Sequence, residues 1–391
     1  MIYTTFSDKR ISLLGFGAMR LPTCPDGSID EKKTFEMVDY AIANGVNYFD
    51  TAWPYHNGES ERVIGKALAR HDRSKIYLAD KYPGHQVSEK YDPADIFEEQ
   101  LKRCGVEYFD FYLLHNVYEK SINTYFDPRW GIIDYFKEQK RLGRIKHLGF
   151  STHGDLSTIK EFLEKCDVEM EFCQIQLNYL DWTLQNAKEK YEFLREKGIP
   201  VIVMEPVRGG GLASLNEQSE KMLHECRPES SYASWAFRFL QKLPGIMTVL
   251  SGMSDFRQTE DNIRTFTDGK YLTDKEFDML LDIAETLKDS VPCTSCRYCC
   301  DGCTMGLDIP RLIGIYNELR VSPVTNIAMR IEWLPEDKKP SACISCGKCT
   351  QICPQKIDIP HELENLTATL EKIPTWAEVC RQRELSQRRT K

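Results

Sequence analysis

Short apolar runs alternate with longer stretches that carry apolar residues on one helical face, from the N-terminus to about residue 285. The short runs predict eight β-strands, at Ser12–Phe16, Tyr48–Asp50, Ile76–Ala79, Phe111–His115, His147–Ser151, Phe172–Leu177, Val201–Met204 and Met247–Leu250. The longer stretches predict helices at Glu31–Ala43, Ser60–Ala69, Pro93–Cys104, Gly131–Arg141, Leu156–Glu164, Asn186–Lys197, Ser231–Leu240 and Phe256–Phe266.

Regular alternation of strands and helices limits the fold to a parallel sheet joined by right-handed crossovers. Eight such units fit a closed (β/α)8 TIM barrel of about 250 residues. An open doubly wound sheet is the alternative, but it usually has a glycine-rich phosphate loop after its first strand. The first predicted strand runs into GFGAMRLP (residues 15–22), which lacks that fingerprint. The pattern therefore predicts an α/β fold built as a (β/α)8 barrel.

The C-terminal part of the chain has a different pattern, in which one cysteine spacing occurs twice. Both runs read C-x2-C-x2-C-x3-C, and the second lies fifty residues after the first and is followed by proline. The cysteines of the two runs are Cys293, Cys296, Cys299 and Cys303, then Cys343, Cys346, Cys349 and Cys353. This spacing is the bacterial-type ligand pattern for [4Fe–4S] clusters, in which the fourth cysteine of each run serves the other cluster.

We therefore expect two [4Fe–4S] clusters that exchange their fourth ligands. Cys353 would complete the cluster of the first run, and Cys303 would complete that of the second. Zinc is the alternative, but it usually takes two C-x2-C pairs separated by a longer loop. Cys300 is a spare thiol beside Cys299.

These patterns divide the chain into three parts. Residues 1–285 form the predicted barrel, and residues 286–375 form a small α-helical, ferredoxin-like domain with two clusters. Within that domain, IPRLIGIYNELRV (residues 309–321) predicts an amphipathic helix and PEDKKPSAC (residues 335–343) predicts a polar loop. Residues 376–391 read as a basic tail, which we expect to be flexible.

Charge and cysteine usage restrict the partners and the compartment. A net charge of −8 and a pI near 5.7 argue against nucleic acid as the main partner. No apolar run approaches the roughly 18–20 residues that span a bilayer, and the N-terminus lacks a signal-peptide core, so we expect no membrane span. Seven further cysteines are scattered along the chain, which indicates free thiols and predicts a cytoplasmic protein.

Four polar residues lie where predicted barrel strands end, the face on which barrel enzymes carry their chemistry. Asp50, Lys81 and His115 end or follow consecutive strands, and Tyr55 lies in the loop after Asp50. Each alone has an ordinary structural interpretation, as a cap, a solvated cation or a core-edge histidine. Their coincidence on consecutive strands favours catalysis.

These residue types suit the reduction of a carbonyl group. A hydride added to a carbonyl leaves an alkoxide, which must take a proton in the transition state. Tyr55 can donate that proton, and we expect the Lys81 ammonium to favour the phenolate form of Tyr55. Asp50 would keep Lys81 charged and oriented, while His115 would orient the carbonyl oxygen.

By these residues the chain resembles the aldo/keto reductase superfamily over residues 1 to about 267. The resemblance is carried by GFGAMRLP, FDTAWPYHNGESE, ADK, LLH, GFSTH, QIQLNYLD and SGMS…EDN. It implies a (β/α)8 barrel, NADP(H) or NAD(H) as cofactor, a small carbonyl substrate, and Asp50, Tyr55, Lys81 and His115 as the catalytic tetrad with Tyr55 as general acid. The whole chain resembles the bacterial and archaeal branch in which this barrel is fused to a C-terminal [4Fe–4S] ferredoxin-like domain.

The resemblance also implies a set of cofactor contacts at Met19, Asp50, Ser151, Thr152, Gln174, Met204, Arg208, Gly252, Gln258 and Asn262. Ser151 and Gln174 match positions that bind the nicotinamide carboxamide, and Asn262 matches a position that contacts adenine. Gly252 and Gln258 occupy places where the family has basic residues for a 2′-phosphate. Arg208 or Arg257 would have to replace those basic residues, so the choice between NADPH and NADH stays open.

The electron chemistry leaves three interpretations. A nicotinamide passes two electrons as hydride, whereas a [4Fe–4S] cluster passes one at a time, and a flavin such as FMN normally couples the two. In the first interpretation, the barrel is a carbonyl reductase and the clusters are structural or regulatory. In the second, the barrel is a flavin-coupled reductase that receives electrons from a separate ferredoxin or other carrier. The third interpretation is a non-catalytic barrel that senses redox state, which an intact tetrad argues against.

Overall fold

A computed structural model describes residues 1–84, 92–287, 290–321, 323–376, 378 and 381 of the chain. They fall into two compact units. The first comprises Met1–Arg208, Leu212–Ser214 and Lys221–Ala284, and the second comprises Gly209–Gly211, Leu215–Glu220 and the residues from Glu285 onward. The predicted basic tail lies outside the described residues except for positions 376, 378 and 381.

The first unit contains a closed barrel of eight parallel strands, β3 to β10, in which β10 pairs with β3. The strands are β1 Tyr3–Phe6, β2 Lys9–Ser12, β3 Leu14–Gly17, β4 Tyr48–Asp50, β5 Tyr77–Tyr82, β6 Phe109–Val117, β7 Ile145–Thr152, β8 Cys173–Gln176, β9 Val201–Met204 and β10 Ile246–Ser251. This confirms the predicted (β/α)8 fold.

Helices follow the barrel strands as the alternating pattern predicted. The helices of the chain are α1 Glu31–Ala43, α2 Ser60–Leu68, α3 Pro93–Cys104, α4 Ile122–Tyr125, α5 Ile132–Arg141, α6 Leu156–Lys165, α7 Asp181–Leu184, α8 Ala187–Glu196, α9 Glu217–Cys226, α10 Tyr232–Gln241, α11 Phe256–Thr265, α12 Asp274–Leu287, α13 Tyr298–Asp301, α14 Ile309–Val321, α15 Thr325–Glu332, α16 Lys348–Ile352 and α17 Ile359–Leu370. The bounds of α1 and α3 agree with the prediction residue for residue. Asp92 caps α3 by accepting from the backbone N–H of Ala94, and left-handed Gly105 ends the helix.

Strands β5 and β6 extend beyond their predicted ends. β5 continues past Lys81 to Tyr82, and β6 continues past His115 to Val117. Polar residues ended the apolar runs in the sequence, but the backbone ladder between β5 and β6 continues through Lys81 and Tyr82. Lys81 and His115 therefore belong to strands, which hold them more rigidly than loops would.

An N-terminal hairpin, which the apolar pattern did not separate from the barrel, precedes β3. Strands β1 and β2 pair antiparallel, and the Thr4 hydroxyl donates to the Met247 carbonyl oxygen at 2.6 Å. Phe6 packs edge-on against Phe172 with its ring centroid 6.3 Å away. The hairpin thus packs at the amino-terminal ends of the strands, away from Asp50 and Lys81.

The second unit is helical and has its own apolar core. Helix α14 has the predicted bounds, whereas the sequence analysis did not delimit α15 or α17. The core is formed by buried side chains of α14 and α17 together with Cys299 and Cys349. In the described part of the chain, no helix combines the length and apolarity needed to cross a membrane.

Candidate active site and cysteine-lined cavities

The structure brings three residues of the predicted tetrad into direct contact. The Lys81 ammonium donates to Asp50 Oδ1 at 2.5 Å and to the Thr51 carbonyl oxygen at 2.7 Å. The Tyr55 hydroxyl lies 3.4 Å from Lys81 Nζ. Asp50 ends β4, Lys81 lies near the end of β5, and Tyr55 lies in the loop after β4.

The Asp50–Lys81 ion pair is almost completely removed from solvent, with 2% of Asp50 and none of Lys81 exposed. Burial raises the pKa of Asp50, and the charge and hydrogen bond of Lys81 act in the opposite direction. Removing one partner would leave an uncompensated buried charge, which is much costlier than replacing the pair. The pair therefore holds the Lys81 ammonium in one place beside Tyr55.

Tyr55 keeps its proton more strongly than the sequence analysis expected. Burial is the largest cause that raises the pKa of Tyr55 well above 10, and the negative charges of Asp50 and Glu205 add to it. The charge of Arg20 lowers the pKa by a smaller amount. The phenol is therefore neutral at ordinary pH, which is the protonated form that a general acid requires.

His115 completes the cluster from the neighbouring strand β6. Its ring meets the Tyr55 ring edge-on, with centroids 6.3 Å apart and an angle of 89°. Its carbonyl oxygen accepts a hydrogen bond from the Tyr125 hydroxyl of α4. The histidine is thus anchored through its backbone, and its ring lies beside the phenol.

Ser151 and Gln174 lie side by side at the ends of β7 and β8, where their backbones pair. Ser151 Oγ and Gln174 Oε1 are both buried and have no hydrogen-bond partner among the described residues. A primary carboxamide offers a donor to one such atom and an acceptor to the other. These two side chains therefore fit the nicotinamide carboxamide that the resemblance assigned to them.

The neighbouring nicotinamide-side positions are more engaged within the protein. Met204 lies with its sulfur 3.6 Å from Gln174 Nε2, at the end of β9. The Thr152 hydroxyl donates to the Val117 carbonyl oxygen at 2.6 Å. Met19 is half-buried in the turn after β3. Met204 therefore contacts Gln174, while Thr152 stabilises its own loop.

The positions assigned to the adenine and phosphate end lie after β10. Asn262 on α11 donates to Ser251 Oγ at 2.9 Å. The amide oxygen of Gln258 accepts from the backbone N–H of Ser254 at 2.8 Å, so it supports the loop before α11. A side chain at Gly252 would approach the Arg20 side chain to 3.2 Å.

Arg208, offered as a substitute for the basic residues, is held by another partner. It is 4% exposed, and its Nε donates to both oxygens of Asp181 at 3.0 and 3.2 Å. Gln176 and Asn178 also donate to Asp181, each at 2.7 Å. The structure therefore ties Arg208 into a buried network, while Arg257 is exposed at the start of α11.

Two charged residues near the tetrad escaped the sequence analysis. Arg20 follows Met19 in GFGAMRLP, and its guanidinium lies 3.8 Å from Glu205 Oε1. Both influence the pKa of Tyr55. Arg20 could have been found from its place beside an assigned cofactor contact, but nothing in the pattern marked Glu205, whose backbone φ of 56° sets it apart only in the structure.

In the second unit, the eight cysteines divide between two cavities. One is lined by Cys303, Cys343, Cys346 and Cys349. The other is lined by Cys293, Cys296, Cys299 and Cys353. Each cavity thus draws three cysteines from one run and the fourth from the other.

The cysteine thiols surround the cavities at some distance from one another. Nowhere in the described ranges do three histidine, cysteine or acidic side chains come close enough to share one metal ion. Cys299 lines the second cavity, whereas the adjacent Cys300 is not among its lining residues. These sets coincide with the two ligand sets derived from the cysteine spacing.

Comparisons with known proteins agree with both units. The sequence profile of the aldo/keto reductase family matches residues 13–285, and that of a 4Fe-4S dicluster domain matches residues 292–357. The holo form of the aldo-keto reductase AKR11C1 from Bacillus halodurans superposes with a TM-score of 0.59 at 28% identity. The superposition covers 72% of this chain and 96% of that one.

Curated relatives include two oxidoreductases that are covered over almost their whole length. The uncharacterized oxidoreductase YqkF of Bacillus subtilis is 28% identical over 308 residues, covering 70% of this chain and 93% of YqkF. The NADH-specific methylglyoxal reductase of Escherichia coli is 24% identical over 327 residues, covering 72% of this chain and 97% of that protein.

Proposed function

This chain belongs to the aldo/keto reductase family, and we propose accordingly that its barrel reduces the carbonyl group of an aldehyde or ketone with NADPH or NADH. The observation that carries the proposal is the position of the Tyr55 hydroxyl, 3.4 Å from an ammonium that is itself fixed by Asp50. A protonated phenol beside a fixed cation is the arrangement that delivers a proton to a developing alkoxide.

Each residue of the tetrad has a separate part in this reaction. A bound nicotinamide supplies the hydride. Tyr55 donates its proton to the carbonyl oxygen, and Lys81 stabilises the phenolate that remains, because the ammonium is close and screened from water. Asp50 holds the Lys81 ammonium in place through their ion pair. His115, whose ring lies edge-on to that of Tyr55, orients the carbonyl oxygen toward the phenol.

The assigned cofactor contacts are compatible with both NADH and NADPH. Ser151 Oγ and Gln174 Oε1 would satisfy the carboxamide, and both are buried. Gly252 and Gln258 bring no positive charge for a 2′-phosphate, and Arg208 is engaged by Asp181. Both NADH and NADPH should therefore be assayed as cofactors. Two carbonyl probes are used, methylglyoxal and an aromatic aldehyde; methylglyoxal is chosen because the E. coli relative is named as a methylglyoxal reductase.

We further propose that the second unit holds two [4Fe–4S] clusters. One is assigned to Cys293, Cys296, Cys299 and Cys353, and the other to Cys343, Cys346, Cys349 and Cys303. The division of the cysteines between two cavities supports this assignment, because each cavity offers the four thiolates that a cubane requires. Such clusters would exchange single electrons with a separate ferredoxin or another carrier.

An anaerobic visible spectrum tests the cofactors directly. Two clusters predict about eight iron atoms per chain, four in each. Released FMN would identify a flavin that couples the one-electron and two-electron centres. Bleaching of the iron–sulfur absorption by NADH or NADPH would place the clusters on the electron route, and an unchanged spectrum would separate them from nicotinamide chemistry.

Tyr55→Phe tests the barrel reaction. We expect kcat for the carbonyl probes to fall by about a hundredfold or more, because general acid catalysis contributes at least that much. Binding of NADH or NADPH, measured by fluorescence, should stay nearly unchanged, since the phenol makes no assigned cofactor contact.

Tyr77→Phe is the matched control, because it removes a phenol from the opposite end of strand β5. Its kcat should equal that of the parent protein. Equal kcat for Tyr55→Phe and the parent would remove Tyr55 from the role of acid. Absence of turnover in the parent with both cofactors and both probes would overturn the carbonyl reductase proposal.

A further inference from the structure

A fully buried pair of carboxyl groups lies behind Lys81, and the reaction proposed above does not use it. Asp80 precedes Lys81 on β5, and successive strand residues point to opposite sides. Asp80 therefore faces helices α2 and α3, where its carboxyl group lies beside that of Glu61. Neither residue is exposed to solvent. Two carboxyl groups can share a hydrogen bond only if one of them carries a proton.

Gln100 on α3 has an orientation that its partners determine. Its Nε2 donates to the Lys81 carbonyl oxygen and to Glu61 Oε1, both at 3.0 Å. Its Oε1 accepts from the Tyr112 hydroxyl at 2.5 Å. Because a backbone carbonyl can only accept, the nitrogen must face Lys81, and both of its hydrogens are then used.

The partners of Glu61 show which carboxyl is ionised. Oε1 faces the Gln100 amide nitrogen, and Oε2 faces Arg103 Nη1 at 2.9 Å. Both nitrogens are donors, and the Arg103 cation compensates a negative charge on Glu61. The donors that face Asp80 are a backbone N–H and a thiol, which are neutral, so we assign the shared proton to Asp80.

The other contacts of Asp80 are with neutral donors. Its Oδ1 accepts from the backbone N–H of Lys81 at 2.8 Å, and its Oδ2 accepts from the Cys104 thiol at 3.8 Å. Burial is the largest cause that raises the pKa of Asp80 well above 3.8, and the charge of Glu61 raises it further. Arg103 is the cation of this group, and it also pairs with Glu99 at 3.0 Å.

We propose that protonated Asp80, Glu61 and Gln100 form a buried brace that positions Lys81 for proton transfer by Tyr55. Asp80 holds the backbone N–H of Lys81, and Gln100 holds its carbonyl oxygen. The brace also reaches the loop that carries Tyr55, because the Arg103 guanidinium lies 3.8 Å from the centre of the Trp53 ring. These are positioning residues, and their effect on turnover rests on the proposed function.

Infrared difference spectroscopy on the whole protein locates the proton without any assay of turnover. The parent protein should show the carbonyl stretch of a buried carboxylic acid, and this band should be absent from Asp80→Asn. Glu98→Gln on helix α3 is the control, since Glu98 is exposed and pairs with Arg144. A band that persists unchanged in Asp80→Asn overturns the assignment of the proton.

Kinetics with the carbonyl probes test the brace itself. Asp80→Asn should keep kcat within about threefold, because the amide accepts from Lys81 N–H and donates to Glu61 as the acid does. Asp80→Leu and Glu61→Gln should each lower kcat about tenfold or more while cofactor Kd stays within about twofold. In Glu61→Gln the side-chain NH2 group replaces one of the two accepting oxygens. It must then face the donor nitrogen of Gln100 or of Arg103, so one of these two hydrogen bonds is lost.

The two experiments separate this inference from the reductase proposal. If the parent protein reduces no carbonyl, the reductase proposal fails and the infrared band still tests the proton on Asp80. Equal losses of kcat in Asp80→Asn and Asp80→Leu would overturn the brace, as would full kcat in Glu61→Gln. If Glu61→Gln fails to fold, Gln100→Met tests the bond to Lys81, and full kcat in that variant overturns the brace as well.

Discussion

At the scale of single residues, burial and charge act in opposite directions on the Tyr55 phenol. Exclusion of water and the negative charges of Asp50 and Glu205 raise its pKa, whereas Arg20 lowers it. A phenol in this setting gives up its proton only when a much stronger base, such as an alkoxide, forms within hydrogen-bond reach. Loss of the proton is thereby tied to hydride transfer.

The assignment of Cys299 rather than its neighbour as a cluster ligand leads to a prediction at the same scale. Cys300→Ser should retain about eight iron atoms per chain, while Cys299→Ser should lose about four, because Cys299 lines the second cavity. Iron analysis of anaerobically purified protein measures both. Loss of iron from Cys300→Ser together with retention in Cys299→Ser would reverse the assignment.

The sequence analysis identified candidate residues that lie in a recognisable motif. It missed residues whose role depends on which side chains they contact in the folded protein. The proximity of Asp50, Lys81 and His115 could be predicted because they lie at or near the carboxyl ends of consecutive strands, and Tyr55 lies in the loop after Asp50. Asp80 and Glu61 were visible only as ordinary charges, since no local pattern shows that both point into the layer between the strand and its helices. Their pairing depends on tertiary packing.

At the scale of secondary structure elements, two strands were predicted too short because polar side chains follow their apolar residues. β5 and β6 extend past the apolar runs because their backbone ladder continues while the side chains change to those of the site. The hairpin β1–β2 was missed because Leu13, a single residue, separates β2 from β3. The apolar pattern of a sequence predicts which side chains are buried, but it does not predict where the backbone hydrogen bonds of a strand end.

The start of α12 offers a test of acid stability. Arg227 donates to both oxygens of Glu276, at 2.6 and 2.8 Å, and is the largest cause that lowers the pKa of Glu276 to about 2. The folded-state pKa lies below the usual 4.5, so this interaction stabilises the fold above pH 4.5 and is lost as the pH falls toward 2.

Glu276→Gln should lower the free energy of unfolding by about 1 kcal/mol at pH 7. The difference between variant and parent should shrink between pH 4.5 and pH 2, as the parent's carboxylate takes up its proton. Urea unfolding followed by circular dichroism at a series of pH values measures both. A difference that is constant across this range would show that the charge of Glu276 contributes nothing.

At the scale of the whole molecule, the tetrad and the cysteine-lined cavities belong to different compact units. The sequence analysis placed a domain boundary after residue 285, where strand–helix alternation gives way to the cysteine runs. It could not predict the helices of the second unit in detail, since the small core there is shared between helices and cysteine side chains.

Removal of iron should therefore leave the barrel reaction in place. All four residues of the tetrad and their hydrogen bonds lie in the first unit, so chelation should leave kcat for the carbonyl probes within about twofold of the untreated protein. Iron content and turnover are measured on the same samples. A loss of turnover in proportion to iron would place the clusters on the route of the electrons.

The exchange of fourth cysteines between the two runs has a consequence for biosynthesis. Neither set of four thiols exists until the second run has left the ribosome, since one set waits for Cys349 and the other for Cys353. The last barrel strand ends about a hundred residues earlier, which at 5–20 residues per second is roughly 5–20 s of translation. The nascent barrel can thus close while the remainder is still being made, and loading of the two proposed clusters would be the final step of maturation.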